Sequence, residues 1–244
     1  VLTELPDKIE QNIILPFNDE EEKLYVANLA EANKELQELY DLEGSDKMQI
    51  LKLLTRLRQL CLEPRLVYDN IDQPSSKLKA CMELIKTMQE NKQKVLLFSS
   101  FTSVLDLIAE ECQKAGITYY MLTGSTNKED RRELVSRFQK DDTTVFLISF
   151  KAGGTGLNLT SAEAVIHFDP WWNVSAQNQA TDRAYRIGQK NNVQVFNLVM
   201  KDSVEEKIIE LQKRKKELAD MFVENNSGGL SQMSKEDILS LFTM

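Results

Sequence analysis

The stretch "KVLLFSSFTSVLDLIAEECQKAGITYYML", Lys94 to Leu122, decides the fold class. It begins with a continuous apolar run, continues through an amphipathic segment that stops at Gly116, and ends in a second short apolar run. A strand, a helix and a second strand fit these parts, because strands buried on both faces read as unbroken apolar runs. The alternation recurs as far as "VQVFNLVM", Val193 to Met200. The sequence therefore predicts an α/β fold, a parallel sheet with helices on both faces.

The predicted sheet also indicates where a site should lie. In open parallel sheets, ligands bind in the crevice beyond the carboxyl ends of the strands. The predicted site therefore lies in the loops after Ser99, after Leu122, after Ser149 and after Asp169.

The segments around this α/β region differ from it in pattern. Residues 1–76 form a predicted helical prelude with an extended start, and 77–202 form the α/β lobe. Residues 203–225 form a predicted long helix, and 226–244 a linker with a short helix. Capping boxes are predicted at two helix starts, Asn18 with Glu21 and Ser234 with Asp237.

The charge of the chain is distributed unevenly. The formal net charge of the 244 residues is -8. Residues 1–50 contain 4 Lys or Arg against 13 Asp or Glu, a balance of -9, and residues 51–244 contain 26 against 25, a balance of +1. With no basic tail or arm, the composition excludes a stand-alone electrostatic DNA binder. Any nucleic-acid contact must come from a few placed groups.

Composition also bounds the class of protein. No apolar run approaches the ~18 residues of a membrane span, and the N-terminus has no signal-peptide pattern. Three scattered cysteines (Cys61, Cys81 and Cys112) and the one histidine, His167, make no metal-ligand pattern. We interpret the cysteines as reduced, mostly buried thiols of an intracellular protein, in the cytoplasm or nucleoid of a bacterium or the nucleus of a eukaryote.

An anion-binding face is predicted in "QATDRAYRIGQ", Gln179 to Gln189. On a helix that stops near Gly188, Gln179, Arg183 and Arg186 fall within a sector of roughly 60°. One amide and two guanidinium groups would then point the same way. The alternative is an exposed helix with solvated arginines.

A glycine cluster follows a predicted buried strand in "ISFKAGGTGLNL", Ile148 to Leu159. Its exposed N–H groups suit a phosphate, and the alternative is a tight turn between strand and helix. The third glycine of a dinucleotide fingerprint is missing, because Leu159 stands there. A P-loop is excluded too, since no glycine of the chain is followed by lysine. The acidic run in "NDEEEKLY" suits a helix N-terminus better than a Mg²⁺ box, and "FDPWWN" suggests core packing for one of its two tryptophans.

Together these stretches resemble the C-terminal RecA-like lobe of Swi/Snf-type ATPases, the DNA translocases of helicase superfamily two. "KVLLFSSFTSVLDLI", "MLTGSTNKEDRRELVSRFQ", "FLISFKAGGTGLNLTSAEAVIHFDPWWN" and "QATDRAYRIGQ" are similar to motifs IV, IVa, V and VI, in the same order. The resemblance runs from about Lys8 to Val223, with a brace helix in "VEEKIIELQKRKKELAD". Glu63 and Tyr185 stand where the family more often has histidine. The absence of large insertions around the tryptophans resembles bacterial members.

The resemblance implies roles for individual residues. Arg183 and Arg186 would face the triphosphate of ATP, bound with Mg²⁺ mainly by an N-terminal RecA-like lobe of the same protein. Arg186 is the leading arginine finger, Arg183 its partner, and Gln179 would help to orient them. Gly154 and Gly156 would lie near the nucleotide or at a helix start that touches DNA. Contacts to the backbone of double-stranded DNA would come from Ser100, Thr102, Thr123, Gly124, Ser125 and Lys151.

The resemblance also implies that this chain is the second half of a two-lobed motor. A complete motor has a P-loop lysine and an Asp-Glu box for Mg²⁺, and neither pattern occurs here. We expect the complete protein to translocate on duplex DNA and to remodel protein–DNA complexes, with a DNA-bound protein as its target. Two alternatives stay open: a strand-separating helicase of the same superfamily, and a stand-alone adaptor that binds a partner without hydrolysis.

Overall fold

The computed structural model describes residues 6–41, 47–153, 157–171, 174–186, 188–221 and 234–243. The strands are β1 (Lys8–Leu15), β2 (Val95–Ser99), β3 (Tyr119–Leu122), β4 (Val145–Ser149), β5 (Ala164–His167) and β6 (Val193–Met200). The helices are α1 (Asp19–Asp41), α2 (Lys47–Leu62), α3 (Ser76–Glu90), α4 (Thr102–Lys114), α5 (Lys128–Phe138), α6 (Phe150–Gly153), α7 (Val174–Thr181), α8 (Val204–Met221) and α9 (Lys235–Leu241).

The described strands form one sheet in the order β1-β6-β5-β2-β4-β3. The pairs β2/β4, β2/β5, β3/β4 and β5/β6 are parallel. Ser99 pairs with Ser149, Leu122 with Ile148, and Phe98 with His167, so the carboxyl ends of four strands lie side by side. The predicted α/β fold with a parallel sheet is confirmed.

The sheet is held by a core of large apolar side chains. All five residues of β2 and all five of β4 are buried, as their unbroken apolar runs predict. One core cluster includes Phe98, Phe138 and Phe146, each fully buried. Burying a side chain of this size contributes about 1.5–3 kcal/mol relative to leaving it exposed. The packing therefore fixes the strand ends, on which the site described below depends.

The chain divides into two compact units. One contains residues 1–13 and 78–199, with most of the sheet, and the other contains residues 14–77 and 200–244. In the second unit, Val204 at the start of α8 donates its backbone N–H to the hydroxyl of Tyr25 on α1, at 2.7 Å. Asn33 on the same helix donates to the carbonyl of Phe242, just after α9, at 2.7 Å. The four-segment division given by the sequence stays a prediction.

The second unit contains both predicted capping boxes and the buried carboxylate of Glu63. Both predicted capping boxes are present: Asn18 and Glu21 satisfy each other's backbone N–H groups, and so do Ser234 and Asp237. Glu63 is buried, and its carboxylate accepts hydrogen bonds from the Arg65 guanidinium at 3.0 and 3.1 Å and from the Ser75 backbone at 2.9 Å. The carboxylate that stands here in place of the family's more common histidine therefore has hydrogen-bond partners close by in the sequence.

The three cysteines are buried, as the sequence predicted. Within the described residues, Cys61, Cys81 and Cys112 form no disulfide. Burial raises the pKa of the Cys112 thiol to about 12, so the group stays a protonated, inert thiol near neutral pH. Within the described ranges, no helix combines the length and the apolar character that a membrane crossing requires.

One local prediction is wrong. Helix α7 ends at Thr181, not near Gly188, so Arg183 and Arg186 lie in the turns beyond it and do not share a helical face with Gln179. The reason is that tertiary partners take the carbonyls a continuing helix would use. The Arg183 carbonyl accepts from the Leu159 backbone N–H at 3.0 Å, and the Ala184 carbonyl accepts from the Gln189 side chain at 3.1 Å. Gly188 has φ +107, which favours glycine there.

Candidate functional site

The predicted DNA-contacting residues lie at one edge of the sheet. Strands β2, β4 and β3 are neighbours, and their carboxyl ends are in register. Each of these ends is followed directly by predicted contact residues: Ser100 and Thr102 after β2, Lys151 after β4, and Thr123, Gly124 and Ser125 after β3. The tertiary structure therefore brings together, at the ends of three adjacent strands, predicted contact residues that lie up to about fifty positions apart in the sequence.

The turn after β3 is held by its own side chains. The Thr126 backbone N–H donates to the Thr123 carbonyl at 3.2 Å, and the Thr126 hydroxyl accepts from the Thr123 N–H at 3.1 Å. The hydroxyls of Thr123 and Ser125 lie 2.8 Å apart. Gly124 and Ser125 are exposed. This turn presents hydroxyl and backbone groups, which suit a phosphate ester but carry no means of reading base edges.

The turn after β2 depends on a residue that sequence reasoning did not single out. Asp169, fully buried after β5, accepts from the Ser99 hydroxyl at 2.7 Å, from the Ser100 backbone N–H at 3.0 Å and from the Ser100 hydroxyl. The Ser100 hydroxyl is therefore committed to shaping the turn, whereas Thr102 is exposed at the start of α4. Only the pairing of β2 with β5 brings this carboxylate to the turn.

Replacing Asp169 by asparagine is expected to loosen this turn. The amide replaces one charged acceptor oxygen by a donor, and a buried charge-assisted hydrogen bond contributes about 1.5–3 kcal/mol. We expect a lower melting temperature together with weaker binding of duplex DNA. The measurement is thermal melting beside DNA titration, with Asp106→Asn, on α4, as the control. Unchanged melting and unchanged DNA binding would contradict the role of Asp169.

The segment after β4 is compact. Lys151 is exposed on α6, and the Ser149 hydroxyl accepts from the Ala152 backbone N–H at 3.3 Å. A Cβ atom added to Gly153 would lie 3.1 Å from the Phe98 ring, which leaves little room for a side chain there. Gly154 and Gly156 lie outside the described residues. Trp171 stacks on Phe150 with ring centroids 5.0 Å apart, which matches the core packing expected for one tryptophan.

The two arginines differ in environment. Arg183 is 7% exposed, and among the described residues its Nε has no hydrogen-bond partner. Burial and, second, the neighbouring charge of Arg186 lower the pKa of Arg183. A guanidinium nevertheless stays protonated in proteins. Arg186 and Gln179 are exposed. Two positive charges thus lie close together, one of them desolvated, which is the electrostatic condition that an anion would relieve.

The backbone around these arginines is fixed by two further side chains that the sequence did not reveal. Gln189 is buried and donates to the carbonyls of Ala162 and Ala184, at 2.8 and 3.1 Å. The Nε2 of His167 lies 2.9 Å from the hydroxyl of Thr181, the last residue of α7. Burial lowers the pKa of His167 to about 3, so this imidazole is neutral and acts through its hydrogen bond.

Known proteins are similar to this chain in sequence. The family described as "Helicase conserved C-terminal domain" matches residues 76–188. A Mycoplasma pneumoniae protein named as an uncharacterized ATP-dependent helicase is 37% identical over 243 residues, 99% of this chain and 23% of that protein. The chain spans about a quarter of the length of the curated relatives it matches.

Solved structures extend the comparison to the fold. The C-terminal domain of a Sulfolobus solfataricus SWI2/SNF2 ATPase matches with a TM-score of 0.77 and 27% identity, over 96% of this chain and 98% of that one. The ATPase core from the same organism in complex with dsDNA matches with a TM-score of 0.78 and 30% identity, over 97% and 50%.

The fold and these matches together identify a C-terminal, RecA-like lobe of the helicase type. Within that class, the chain is a C-terminal lobe of the Swi/Snf-type ATPase family.

Proposed function

We propose that this chain is the C-terminal motor lobe of an ATP-dependent translocase on double-stranded DNA, which remodels protein–DNA complexes. The observation that carries the proposal is the arginine turn, in which Arg183 is buried beside an exposed Arg186 and its Nε has no hydrogen-bond partner among the described residues. Such a pair suits the spread negative charge of a phosphoryl group in transfer, because guanidinium groups are planar, permanently charged donors.

Three residues of the lobe have separate roles in this proposal. ATP, when bound, supplies the phosphoryl group that is transferred. Arg186, exposed, reaches out to stabilise the charge that develops there, and Arg183 is its partner toward the triphosphate. The backbone carbonyl of Arg183 accepts from the Leu159 N–H and so fixes the position of the turn. Gln179 lies on the preceding helix, α7, and helps to orient the two arginines. The N-terminal RecA-like lobe is the partner that binds most of the nucleotide.

Magnesium belongs with that N-terminal lobe in this proposal. Among the described residues, no cluster of three or more His, Cys, Asp or Glu is placed to hold a metal ion. The contribution proposed for Arg183 and Arg186 of this chain is positive charge directed toward the triphosphate.

The carboxyl edge of β2, β4 and β3 holds the duplex. Exposed Thr102, Gly124, Ser125 and Lys151 contact sugar and phosphate oxygens, while Ser100 and Thr123 shape the two turns. Contacts to the backbone position a duplex without reading its sequence, so the grip is the same at each step along the DNA. The target is a protein bound to DNA, and the site of action is intracellular.

The proposal is tested by comparing the isolated chain with the complete protein. The isolated chain is expected to release no phosphate from ATP with saturating duplex DNA, because arginines cannot replace the groups that cradle the β- and γ-phosphates. The complete protein is expected to hydrolyse ATP when duplex DNA is added and to displace the third strand from a DNA triplex. Turnover by the pure chain would contradict the proposal. Separation of duplex strands would indicate a strand-separating helicase. Binding of a partner without any ATP hydrolysis would indicate an adaptor.

A further inference from the structure

A basic pocket lies beside α5, and the described residues that line it do not include Arg183 or Arg186. Its volume is about 590 Å³. Its rim is cationic, its floor includes two apolar side chains, and the segment after the glycine cluster closes one side. The lining residues are Lys128, Arg131, Arg132, Val135, Ser136, Leu157 and Asn158.

Helix α5 separates its charges by face. At about 100° per residue, the five lining residues of the helix fall within a sector of about 140° that contains no acid. The acids Glu129, Asp130 and Glu133 fall outside that sector, and Arg137 pairs with Glu133 at 3.6 Å on the far side. The pocket face of α5 is therefore positively charged without a carboxylate of its own helix beside it.

Helix stability does not explain this arrangement. Lys128 is the first residue of α5, and Arg131 and Arg132 follow in its N-terminal half. Cations near a helix N-terminus oppose the macrodipole, whereas the acids Glu129 and Asp130 are favoured there. Asn127 already caps the helix by accepting from the N–H groups of Glu129 and Asp130. An anionic ligand on the pocket face would compensate for the unfavourable placement of Lys128 and would also meet Arg132 on the same face.

The floor distinguishes between kinds of anion. Val135 is half-buried, Leu157 is buried with 6% exposure, and both belong to or pack on the core cluster of the sheet. A sugar–phosphate backbone offers polar groups at regular intervals and no apolar side chain that could fill a pocket above Val135 and Leu157. A peptide with acidic side chains around one apolar side chain supplies both an anchor that fills the pocket and acids that meet the rim.

We propose that this pocket docks an acidic segment of a partner protein through one apolar anchor side chain. The site does not include the arginines of the arginine turn, and its occupant is recognised by charge complementarity with Lys128 and Arg132 together with the apolar floor. Pockets of this size with a small contact area give weak, transient docking, with a Kd of about 10⁻⁵ to 10⁻⁴ M.

The test is a fluorescence-anisotropy titration of the chain with a short labelled peptide in which one leucine is flanked by glutamates. Binding should weaken about tenfold for each of Lys128→Gln and Arg132→Gln, as the loss of one charge-assisted contact of about 1.4 kcal/mol predicts. Ser136→Trp fills the pocket without changing its charge and should abolish binding. The control is Arg137→Gln, which removes the same charge from the opposite face of α5 and should leave binding unchanged.

Two comparison ligands make the outcome decisive. A peptide with serine in place of the leucine should bind at least about tenfold more weakly, since burying a leucine contributes about 1.5–3 kcal/mol. Duplex DNA should bind equally to the parent chain and to Ser136→Trp. Equal binding of the serine peptide would overturn the proposal, because charge alone would then account for docking. The proposal would also fall if Ser136→Trp weakened the binding of DNA and not that of the peptide, which would make the pocket part of the DNA track.

Discussion

Replacing Arg186 by alanine in the complete motor is expected to abolish DNA-stimulated ATP hydrolysis while ATP and duplex DNA still bind. In the proposed function, the guanidinium belongs to this lobe and most of the nucleotide-binding groups to the N-terminal lobe, so the arginine reaches the nucleotide only when the lobes close on DNA. Loss of such an arginine finger reduces turnover by about 10³ to 10⁵. Arg186→Lys should recover little, because an ammonium is a compact point charge without the planar fork.

The measurement is steady-state phosphate release with saturating duplex DNA, beside thermal melting of the lobe. Arg186 is exposed, so the alanine variant should melt like the parent. Arg137→Ala, an exposed arginine on α5, is the matched control and should keep normal turnover. Near-normal hydrolysis by Arg186→Ala would exclude the finger role, and a much lower melting temperature would assign Arg186 to the structure of the fold.

Arg183 provides a contrast within the same experiment. Its side chain is buried, so replacing it by alanine removes the packing of its aliphatic stem. Arg183→Ala should therefore lower the melting temperature as well as the turnover. A variant that loses turnover alone would indicate that Arg183 acts directly on the nucleotide.

The largest expected effect on stability is at Lys77. Its Nζ lies 2.6 and 2.7 Å from the two carboxylate oxygens of Glu205, and both side chains are almost completely buried. Glu205 also accepts from the Met200 backbone N–H at 2.8 Å, so this carboxylate joins the start of α3 to the start of α8. Lys77→Met leaves a buried carboxylate without its counter-charge, which costs about 3–5 kcal/mol.

A double-mutant cycle measured by urea unfolding tests this expectation. Glu205→Gln in the Lys77→Met background should restore much of the lost stability, because it removes the uncompensated charge and keeps an oxygen for Met200. The control is Lys114→Met, which breaks the exposed pair with Glu111 and should cost less than about 1 kcal/mol. The interpretation fails if Lys77→Met costs no more than this control.

The pair also bears on the helix that the family resemblance identifies as a brace. Glu205 lies in the first turn of α8, so its bonds to Lys77 and Met200 fix where that helix begins. The roles of Lys213 and Arg214 further along α8, both exposed, depend on a partner lobe and stay a prediction.

The sequence by itself determined the fold class and most of its elements. Runs such as "VLLFS" and "VFLIS" are buried strands because an unbroken apolar stretch has no polar side to turn toward water. The capping boxes at Asn18 and Ser234 are equally local, since donor and acceptor are three residues apart. The same local patterns, in the order of the motifs, indicated the family.

Only the tertiary structure decided the shape of the site. Periodicity predicted one helical face for Gln179, Arg183 and Arg186, but Leu159 and Gln189 take the carbonyls that a longer α7 would need. Asp169 acts on Ser100 across 69 positions, and the pocket beside α5 needs Leu157 from another loop. Neither the contact between Asp169 and Ser100 nor this pocket has a signature in the sequence, because both depend on which strands are neighbours in the sheet. Local propensity chooses the element, but the distant partner that satisfies a backbone carbonyl or a buried carboxylate decides where it ends and which residues meet.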